Sequence, residues 1–497
     1  MHARSPVLQS SLIWERFRPS WPLILGLFAF AKGIASSGLL NDPDTYLHIA
    51  AGRWMLMHQA LPFADPFSHT MPGAPWVPHE WLAELALGGV FAIGGWGAVK
   101  LFTAACFAIS IRLFTRLLLR RFDPLPALIV GAAATWLLLP HLLARPHILA
   151  LPMLVLWCGG LITARDEGRT PPLWLLPVMT LWANLHGGFM FGLALAVFLG
   201  AEAVILPGDS QTRSSEARRW GLFVALAVCA ALLTPNGLAG FLQPFALVMM
   251  PSLQTAIVEW QSPRLGDAPM LELWLLGALL LGLGFGFRVP PLRLLLALAI
   301  VHFALQHVRH ADLLALVVPL AVAASLGSQI RERLSATPAS DLARRLERLA
   351  EPAALPALAL ALVLMLALGM TVAQRPVDRA GDLASPAAAL AAARTFGASG
   401  PVFNTHPYGG YLISEGVPVF IDGRLEMYGD AFFARYLAAS GGDETALAEL
   451  LDRYRIGWTL LSPRDGAVAV LDRLPGWHRA YADPQAVVHV RNEAAAR

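Results

Sequence analysis

The sequence is poor in charge and almost lacks lysine. Only 14% of its 497 residues are Asp, Glu, Lys or Arg, whereas about 25% is usual for a soluble domain. Lys32 and Lys100 are the only lysines among 37 basic residues, which is typical of a high-GC bacterial genome. The formal net charge is only +3, so the basic surface of a nucleic-acid-binding protein is missing. With 56% hydrophobic residues, the composition excludes that class and predicts a membrane protein.

Cysteine is also scarce. Cys106, Cys158 and Cys229 all lie inside apolar runs, which argues against a disulfide framework and against a thiolate metal site. The first apolar run is not followed by an Ala-x-Ala-like cleavage site. We therefore expect a retained first helix rather than a cleaved signal peptide.

Long apolar runs fill most of the chain. A membrane-spanning helix needs about 20 mostly apolar residues, and we count eleven runs near that length. They are 21–39, 96–118, 124–140, 147–164, 172–185, 188–206, 219–234, 270–287, 291–307, 311–327 and 353–373. A shorter run, 81–94, is predicted to lie in or re-enter the membrane interface. The sequence thus predicts an α-helical polytopic membrane protein with about eleven spans.

The distribution of arginine predicts the orientation. With the N-terminus in the cytoplasm, the cytoplasmic loops contain nineteen arginines, and the opposite loops before the C-terminal region contain only four. Positive residues favour the cytoplasmic side. We expect a protein of the bacterial cytoplasmic (inner) membrane, with a cytoplasmic N-terminus and an extracytoplasmic C-terminus.

The C-terminal part has a higher proportion of charged residues than the rest of the chain. Residues 385–497 contain 22 charged residues in 113, against 49 in the preceding 384. Val417–Ile421 and Trp458–Leu461 are typical of short buried strands, and 430–439 and 443–454 of amphipathic helices. We predict a transmembrane domain over 1–375, with a large first outer loop at 40–95, and a small extracytoplasmic α+β domain over 385–497.

Each predicted outer hairpin carries polar residues of the kinds used in catalysis. These hairpins are Asn41–His48, Pro78–Trp81, Arg145–His147, Asn184–Gly188, Thr234–Gly237, Glu259–Pro263 and His307–His310. Ionisable residues near membrane depth are costly and mark functional sites. Because these hairpins come from distant parts of the chain, we expect a site on the outer face.

Asp42 and Asp44 form an acidic pair in the first outer loop. Asp42 precedes Pro43, which is also the pattern of a capping residue for a helix over 43–58. Asp44 lies one turn before His48, so the two side chains would face the same way. The two carboxylates could hold a divalent cation, Mg²⁺ or Mn²⁺, or one could act as a general base while the other orients an acceptor.

Two other hairpins combine charge with imidazole. The Arg145-Pro146-His147 turn is suited to binding a phosphate, or else Arg145 is an interfacial capping residue. His186 precedes Gly187-Gly188, where a backbone can approach a ligand closely, although a tight turn would use the same residues.

His79-Glu80 resembles a zincin helix only superficially, because Ala83 stands where a second histidine is needed. Glu80 and Glu84 supply either a second carboxylate pair or a solvated helix face. Glu259-Trp260 lies on a segment, 238–262, that predicts an interfacial helix, in which Trp260 would anchor at the membrane surface.

Asp42-Pro43-Asp44, the interfacial segments after it and the many-helix bundle resemble the GT-C superfamily of integral-membrane glycosyltransferases. The likeness is to its RgtA/B/C/D-like and protein-mannosyltransferase-like bacterial branch. The resemblance implies that a sugar is transferred, with inversion, from a polyprenyl-phosphate carrier to a lipid, glycan or protein acceptor. It also implies membrane lipids as partners. It implies Asp44 or Asp42 as base or metal ligand, with Mg²⁺ or Mn²⁺ as a possible cofactor. The substrate-binding residues would be His48, His79, Glu80, Arg145, His147, Asn184, His186 and Glu259, of which Arg145, His147 and His186 would face the leaving phosphate.

The tail from Asn404 to Gly429 is similar to that of other bacterial membrane proteins of this architecture. Asn404, Tyr408, Asp422 and Arg424 would either contact an acceptor or, for the last two, form a structural ion pair.

Two other functions share this topology. One is a non-catalytic protein derived from the GT-C bundle, acting in cell-envelope glycan assembly or lipid-glycan transport. The other is a polysaccharide polymerase or ligase that transfers a whole glycan. A transporter should carry charges or broken helices along a path through the bilayer. Lys32 and Lys100 are nearly the only mid-segment charges, both are expected near helix ends, and the polar residues collect on one face. The sequence therefore favours an enzyme of the outer surface.

Overall fold

The computed structural model describes residues 17–206, 209–334, 341–373 and 384–492, and the first sixteen residues of the predicted cytoplasmic N-terminus lie outside these ranges. The helices are α1 Trp21–Ala35, α2 Asp44–His58, α3 Trp81–Leu118, α4 Pro124–Leu138, α5 Pro146–Asp166, α6 Leu175–Leu185, α7 Phe189–Ile205, α8 Ser210–Ala231, α9 Gly237–Val248, α10 Pro251–Ala256, α11 Pro269–Leu279, α12 Pro291–Gln306, α13 Ala311–Leu334, α14 Asp341–Arg348, α15 Leu355–Ala373, α16 Ala387–Thr395, α17 Gly409–Ser414, α18 Leu425–Tyr428, α19 Asp430–Ser440, α20 Glu444–Arg453 and α21 Gly466–Leu471. The strands are β1 Val402–Asn404, β2 Trp458–Leu461, β3 Trp477–Ala482 and β4 Val487–Arg491.

Each of the eleven predicted apolar runs forms a helix. Among the described residues, five helical segments are long and apolar enough to cross a membrane, and six further apolar helices are shorter. The protein is a multi-pass membrane protein, while the number of eleven crossings stays a prediction. The run 81–94 and the run 96–118 are parts of α3, which breaks at Gly94 and Gly95, where Gly95 has a φ of +59°. Glycine tolerates this conformation, so the chain can turn between two helical directions there.

Helix α2 lies directly against the first part of α3. A Cβ atom on Gly52 would lie 1.9 Å from the backbone oxygen of Glu84, and one on Gly88 would lie 2.6 Å from the backbone carbon of Gly52. The two glycines let the helix backbones touch. This contact fixes His48, one turn before Gly52, beside Glu84.

The C-terminal part is an α+β unit, as predicted. Its four-stranded sheet has the order β1-β2-β4-β3, with β1 parallel to β2 and the other neighbours antiparallel. The predicted strand Trp458–Leu461 is confirmed as β2, and the two predicted amphipathic helices are α19 and α20. The last five residues of the predicted 385–497 domain lie outside the described ranges.

The predicted strand at Val417–Ile421 is wrong. Only Val419 forms a bridge, and it does so with Ser68 of the first outer loop instead of with the sheet. The Val419 N–H donates to the Phe67 carbonyl at 3.1 Å, and its carbonyl accepts from the His69 N–H at 3.0 Å. The segment is apolar because it is buried between the C-terminal unit and the outer loop.

The C-terminal unit packs on the helix that carries the acidic pair. Tyr46 and Leu47 of α2 share a buried cluster with Leu412 and Trp458. A Cβ atom on Gly410 would lie 2.6 Å from the Pro43 carbonyl oxygen, so α17 approaches the start of α2 very closely. The C-terminal unit therefore helps to fix the position of the candidate carboxylates.

Arg424 and Asp422 form a buried ion pair at 2.6 Å, and Arg424 also contacts Asp65 at 2.7 Å. Its guanidinium lies over the rings of Phe67 and Trp76. Of the two interpretations, the structural ion pair is the one found. Asn404 likewise bonds Thr405, Ile421 and Phe420, and the Tyr408 hydroxyl donates to the Gln485 carbonyl.

Candidate active site

A cavity of about 1180 Å³ lies among the predicted outer hairpins, the helices below them and the C-terminal unit. The apolar residues that line it include Trp136, Leu151, Leu154, Phe191, Phe245 and Met270. The polar residues that line it include Asp44, His48, His79, Glu80, Glu84, Arg145, His147, His186, Glu259, Arg309, His406 and Glu426. Eight of the ten predicted site residues line this one cavity. Asp42 lies buried just behind it, and Asn184 is not among its lining residues.

Arg145 holds three carboxylates together. It precedes Pro146, whose fixed φ suits the first position of α5, so the arginine stands at the helix entrance. Its guanidinium forms ion pairs with Asp44 and Glu259, and its Nε lies 3.4 Å from Asp42 Oδ1. The planar fork of donors of arginine suits such multiple contacts. Arg145 therefore contacts protein carboxylates in this structure, and its role as a binder of the leaving phosphate stays a prediction.

The two aspartates have different environments. Asp42 Oδ1 accepts a hydrogen bond from the Asp44 N–H at 2.8 Å, so Asp42 does stabilise the start of α2, and it also faces Arg145. Burial raises the pKa of Asp42 more than the charge of Arg145 lowers it. Burial would raise the pKa of Asp44 too, but the charges of Arg145 and His48 outweigh it and lower that pKa. The carboxylate that lines the cavity is thus the one held ionised.

His48 and Glu84 form a largely buried pair in the cavity wall. Their Nδ1 and Oε1 atoms are 3.4 Å apart, and the side chains are 9% and 6% exposed. Burial would lower the pKa of His48, but the hydrogen bond to Glu84 and the charges of Glu80, Glu84 and Asp44 raise it. The pair therefore favours a protonated imidazole one turn from Asp44.

We expect the His48→Gln variant to lose thermal stability in a pH-dependent way. Since the pKa of His48 is higher in the folded than in the unfolded chain, the pair stabilises the fold fully below about pH 6.5 and loses this contribution as pH rises through the folded-state pKa. The difference in melting temperature from wild type should be about 2–4 °C at pH 6 and shrink toward zero by about pH 9. Scanning fluorimetry of both proteins across this range measures it.

His58→Gln is the matched control, because His58 is an exposed histidine at the end of the same helix, where its ring stacks on Trp54. A constant difference between wild type and His48→Gln at every pH would show that His48 acts by packing alone.

His186 is held as one neutral tautomer. Its Nδ1 accepts from the Gly188 N–H at 3.1 Å, so the proton of the neutral ring lies on Nε2, which is 3.6 Å from Glu80 Oε1. Burial and the charges of Arg309 and His147 lower its pKa well below the ordinary value. His186 can donate a hydrogen bond into the cavity without carrying charge.

His147 and His79 complete the imidazole group of the cavity. The His147 Nε2–H donates to the His141 carbonyl at 3.2 Å, and the His147 ring lies 6.3 Å from that of His186. His79 Nε2 is 4.0 Å from Glu80 Oε1. His147 thus keeps only Nδ1 for a further partner, and that atom accepts hydrogen bonds when the ring is neutral.

The structure does not bring Asn184 into the site. Its Oδ1 accepts from the Trp81 indole at 2.7 Å, and its Nδ2 donates to the carbonyls of Thr180 and Leu233. These bonds tie α6 to α8 and to the start of α3. Asn184 is a structural residue, and its prediction as a substrate contact is not supported.

Several ionisable cavity residues lie outside the predicted set, among them Arg309, His406 and Glu426. Arg309 belongs to a hairpin that the sequence singled out, but no local pattern shows that it lacks an ion-pair partner. His406 and Glu426 come from the C-terminal unit, where no local pattern marks them. The Nε2 atom of His406 is buried and has no hydrogen-bond partner within the described part of the chain.

The carboxylates do not fit a divalent cation in this arrangement. A cation would need the oxygens of Asp42 and Asp44 that Arg145 now contacts. In the residues that the structure describes, no three His, Cys, Asp or Glu side chains are placed to hold a metal ion. The proposed Mg²⁺ or Mn²⁺ therefore stays a prediction, and no chemical step is assigned to it.

No protein-family model and no curated protein matches the sequence. The structure, however, is similar to that of the oligosaccharyltransferase of Archaeoglobus fulgidus in its apo form, with a TM-score of 0.52 over 88% of this chain and 69% of the other, at 11% identity. ArnT of Cupriavidus metallidurans, solved bound to undecaprenyl phosphate and in the apo state, matches with a TM-score of 0.48 and 15% identity. The matches cover 94% and 96% of this chain and 97% and 98% of the two ArnT chains.

Both of these proteins are GT-C glycosyltransferases. The predicted GT-C fold is therefore confirmed by the likeness to the oligosaccharyltransferase. At such low identity the likeness concerns the fold, and the activity of this chain has to be argued from its own residues.

Proposed function

We propose that this protein is a glycosyltransferase of the bacterial cytoplasmic membrane, with its site on the extracytoplasmic face. It transfers a sugar from a polyprenyl-phosphate-linked donor to a lipid, glycan or protein acceptor. The observation that carries the proposal is the ionised Asp44 in the first outer loop, which Arg145 holds at a cavity whose lining combines ionisable and apolar side chains. A sugar donor of this class likewise combines an apolar chain with a polar head.

The apolar wall suits the polyprenyl chain. It is built by side chains of α4, α5, α7, α9 and α11, helices that the sequence places in or at the membrane. A polyprenyl chain that lies along these apolar side chains buries apolar surface away from water, and its phosphate then lies at the polar residues. A GT-C fold shared with an oligosaccharyltransferase supports this class of substrate.

Arg309 is the best candidate to bind the phosphate. Its guanidinium lies over the Trp260 ring, 4.4 Å from the ring centre. Among the described ion pairs, none joins Arg309 to a carboxylate, whereas Arg145 has three acidic neighbours. A half-buried guanidinium without an ion-pair partner among the described residues is suited to a phosphate leaving group, and His186 adds an uncharged donor.

The chemistry is a single displacement. The acceptor oxygen forms a bond to the anomeric carbon from one side while the bond from that carbon to the phosphate oxygen breaks on the other, which inverts the centre. Asp44 accepts the hydrogen bond of the acceptor hydroxyl and takes its proton as the new bond forms. The departing polyprenyl phosphate keeps the bonding electron pair, and Arg309 stabilises its charge.

The test is binding and turnover of a panel of polyprenyl-phosphate sugars by the protein in lipid nanodiscs, with and without Mg²⁺ or Mn²⁺. We expect one donor class to bind and turn over, and Arg309→Gln to weaken donor binding by roughly 10- to 100-fold, since a hydrogen bond to a charged group is worth about 1.5–3 kcal/mol. Arg53→Gln, which removes an exposed charge from α2, should leave donor binding unchanged.

Equal donor binding by Arg309→Gln and wild type would place the phosphate elsewhere. Failure of well-folded wild-type protein to bind any carrier would overturn the proposal and favour the non-catalytic reading of the bundle. Transfer of a whole glycan in place of a single sugar would identify a ligase.

A further inference from the structure

A second groove lies far from the active-site cavity, at the opposite end of α3 and α5. Its volume is about 360 Å³. Apolar residues of both helices form its walls, and arginines surround its mouth. We call it the α3/α5 groove, and its lining residues are Leu113, Arg116, Leu117, Arg120, Leu156, Gly159, Gly160, Thr163, Ala164, Arg169, Pro172 and Trp174.

Arg116 and Arg120 stand one helical turn apart at this mouth. Both are exposed, and within the described ranges neither has a carboxylate within ion-pair distance. Like charges at this spacing repel each other and cost the helix a few tenths of a kcal/mol. The neighbouring arginines differ, since Arg121 and Arg169 both pair with Glu167. The pair Arg116 and Arg120 thus offers two free guanidinium groups to one anion.

The position of the groove matches the headgroup level of a bilayer. The part of α3 after its break, 96–118, has a length of about 34 Å at 1.5 Å per residue, enough to cross a hydrocarbon core of about 30 Å. Arg116 lies two residues before its end. Trp174 is 51% exposed beside Pro172, and exposed tryptophan is typical of the membrane interface.

We propose that the α3/α5 groove binds an anionic phospholipid of the phosphatidylglycerol type. Its phosphate lies between Arg116 and Arg120, and an acyl chain lies along Leu113, Leu117 and Leu156. Charge complementarity selects a headgroup without a cation of its own, and the apolar wall selects a lipid over a free phosphate. This site is separate from the proposed sugar transfer and does not depend on it.

The experiment is native mass spectrometry of the full-length protein with phosphatidylglycerol and phosphatidylcholine of matched chains. Wild type should retain phosphatidylglycerol preferentially, and the double variant Arg116→Gln with Arg120→Gln should bind it roughly 10- to 30-fold more weakly, since each arginine near a membrane surface contributes about 1 kcal/mol. Arg218→Gln with Arg219→Gln changes two exposed arginines near the middle of α8, where Arg219 pairs with Glu216; this control should change binding less than about twofold.

Leu156→Trp fills the groove while keeping both charges, so it should also abolish the preference. This variant keeps the proposal testable if the double arginine variant does not fold. Equal losses in the two arginine double variants, or unchanged binding in Leu156→Trp, would show attraction to the general surface charge and overturn the proposal. Displacement of the lipid by excess inorganic phosphate would show an anion site without lipid selectivity and would overturn it as well.

Discussion

Replacing Asp44 by Asn should lower the turnover number for sugar transfer by about 10³-fold, within the range of about 10² to 10⁴ typical for loss of a general base. Asn has the shape of Asp and can still accept a hydrogen bond from Arg145, but it cannot take the proton of an acceptor hydroxyl. Donor binding should change by less than about threefold, because the phosphate is assigned to Arg309. The readouts are kcat and donor Kd of the same nanodisc preparation.

Glu259→Gln is the matched control for this variant. It removes an equal charge from Arg145, but the Glu259 side chain is 37% exposed and has no assigned role in proton transfer. We expect a loss of about tenfold or less from weaker positioning of Arg145. Equal losses in Asp44→Asn and Glu259→Gln would show that Asp44 serves only to hold Arg145, and the proposed base would be wrong.

The pH profile adds an independent test of Asp44. Because Arg145 and His48 lower its pKa, Asp44 stays ionised as pH falls through the ordinary range of aspartate. In wild type, the acid limb of kcat should therefore lie below pH 4 if Asp44 is the base. An acid limb well above that value would point to a carboxylate with a raised pKa, such as Asp42.

The membrane part of the fold was predictable because one physical constraint dominates it. A chain in a bilayer must bond its backbone internally over a length of about 20 residues, and all eleven apolar runs are helical in the structure. The short run Val417–Ile421 shows the limit of the same signal. An apolar run without helix or strand periodicity indicates that the segment is buried but does not show its secondary structure. This segment is buried against the first outer loop instead of within the sheet.

The sequence predicted which residues line the candidate site more readily than which of those residues form ion pairs with each other. Outer hairpins that collect at one face bring their polar residues together, and Asp44, His48 and Arg145 do line one cavity. Arg145 meets Glu259, which is 114 positions away, and no local pattern shows that contact. For the same reason the sequence assigned Arg145 to the phosphate, and the unpaired Arg309 could be recognised only once the ion pairs were known.

Removing Arg145 should have the largest effect on stability. Arg145→Ala leaves Asp42, Asp44 and Glu259 facing one another without a cation. Breaking a fully buried ion pair in this way costs about 3–5 kcal/mol, and partial exposure of Asp44 and Glu259 reduces that cost. Because those oxygens are the ligands that hard divalent cations prefer, Mg²⁺ or Mn²⁺ should raise the melting temperature of the variant and not that of wild type. Thermal unfolding with increasing cation and with chelator measures both effects.

Arg293→Ala provides the comparison at the other end of the bundle. Arg293 is buried between Asp166 and Glu202, so its removal should be similarly destabilising. Arg121 and Arg165 still lie within 4 Å of these two carboxylates, so a divalent cation should not rescue this variant.

If wild type were itself stabilised by Mg²⁺ and destabilised by chelator, a cation would bind beside Arg145, and the carboxylates would fit a metal after all. If neither variant responds to cations, Arg145 supplies charge neutralisation that a hard cation cannot replace. The predicted metal role of Asp42 and Asp44 would then be wrong.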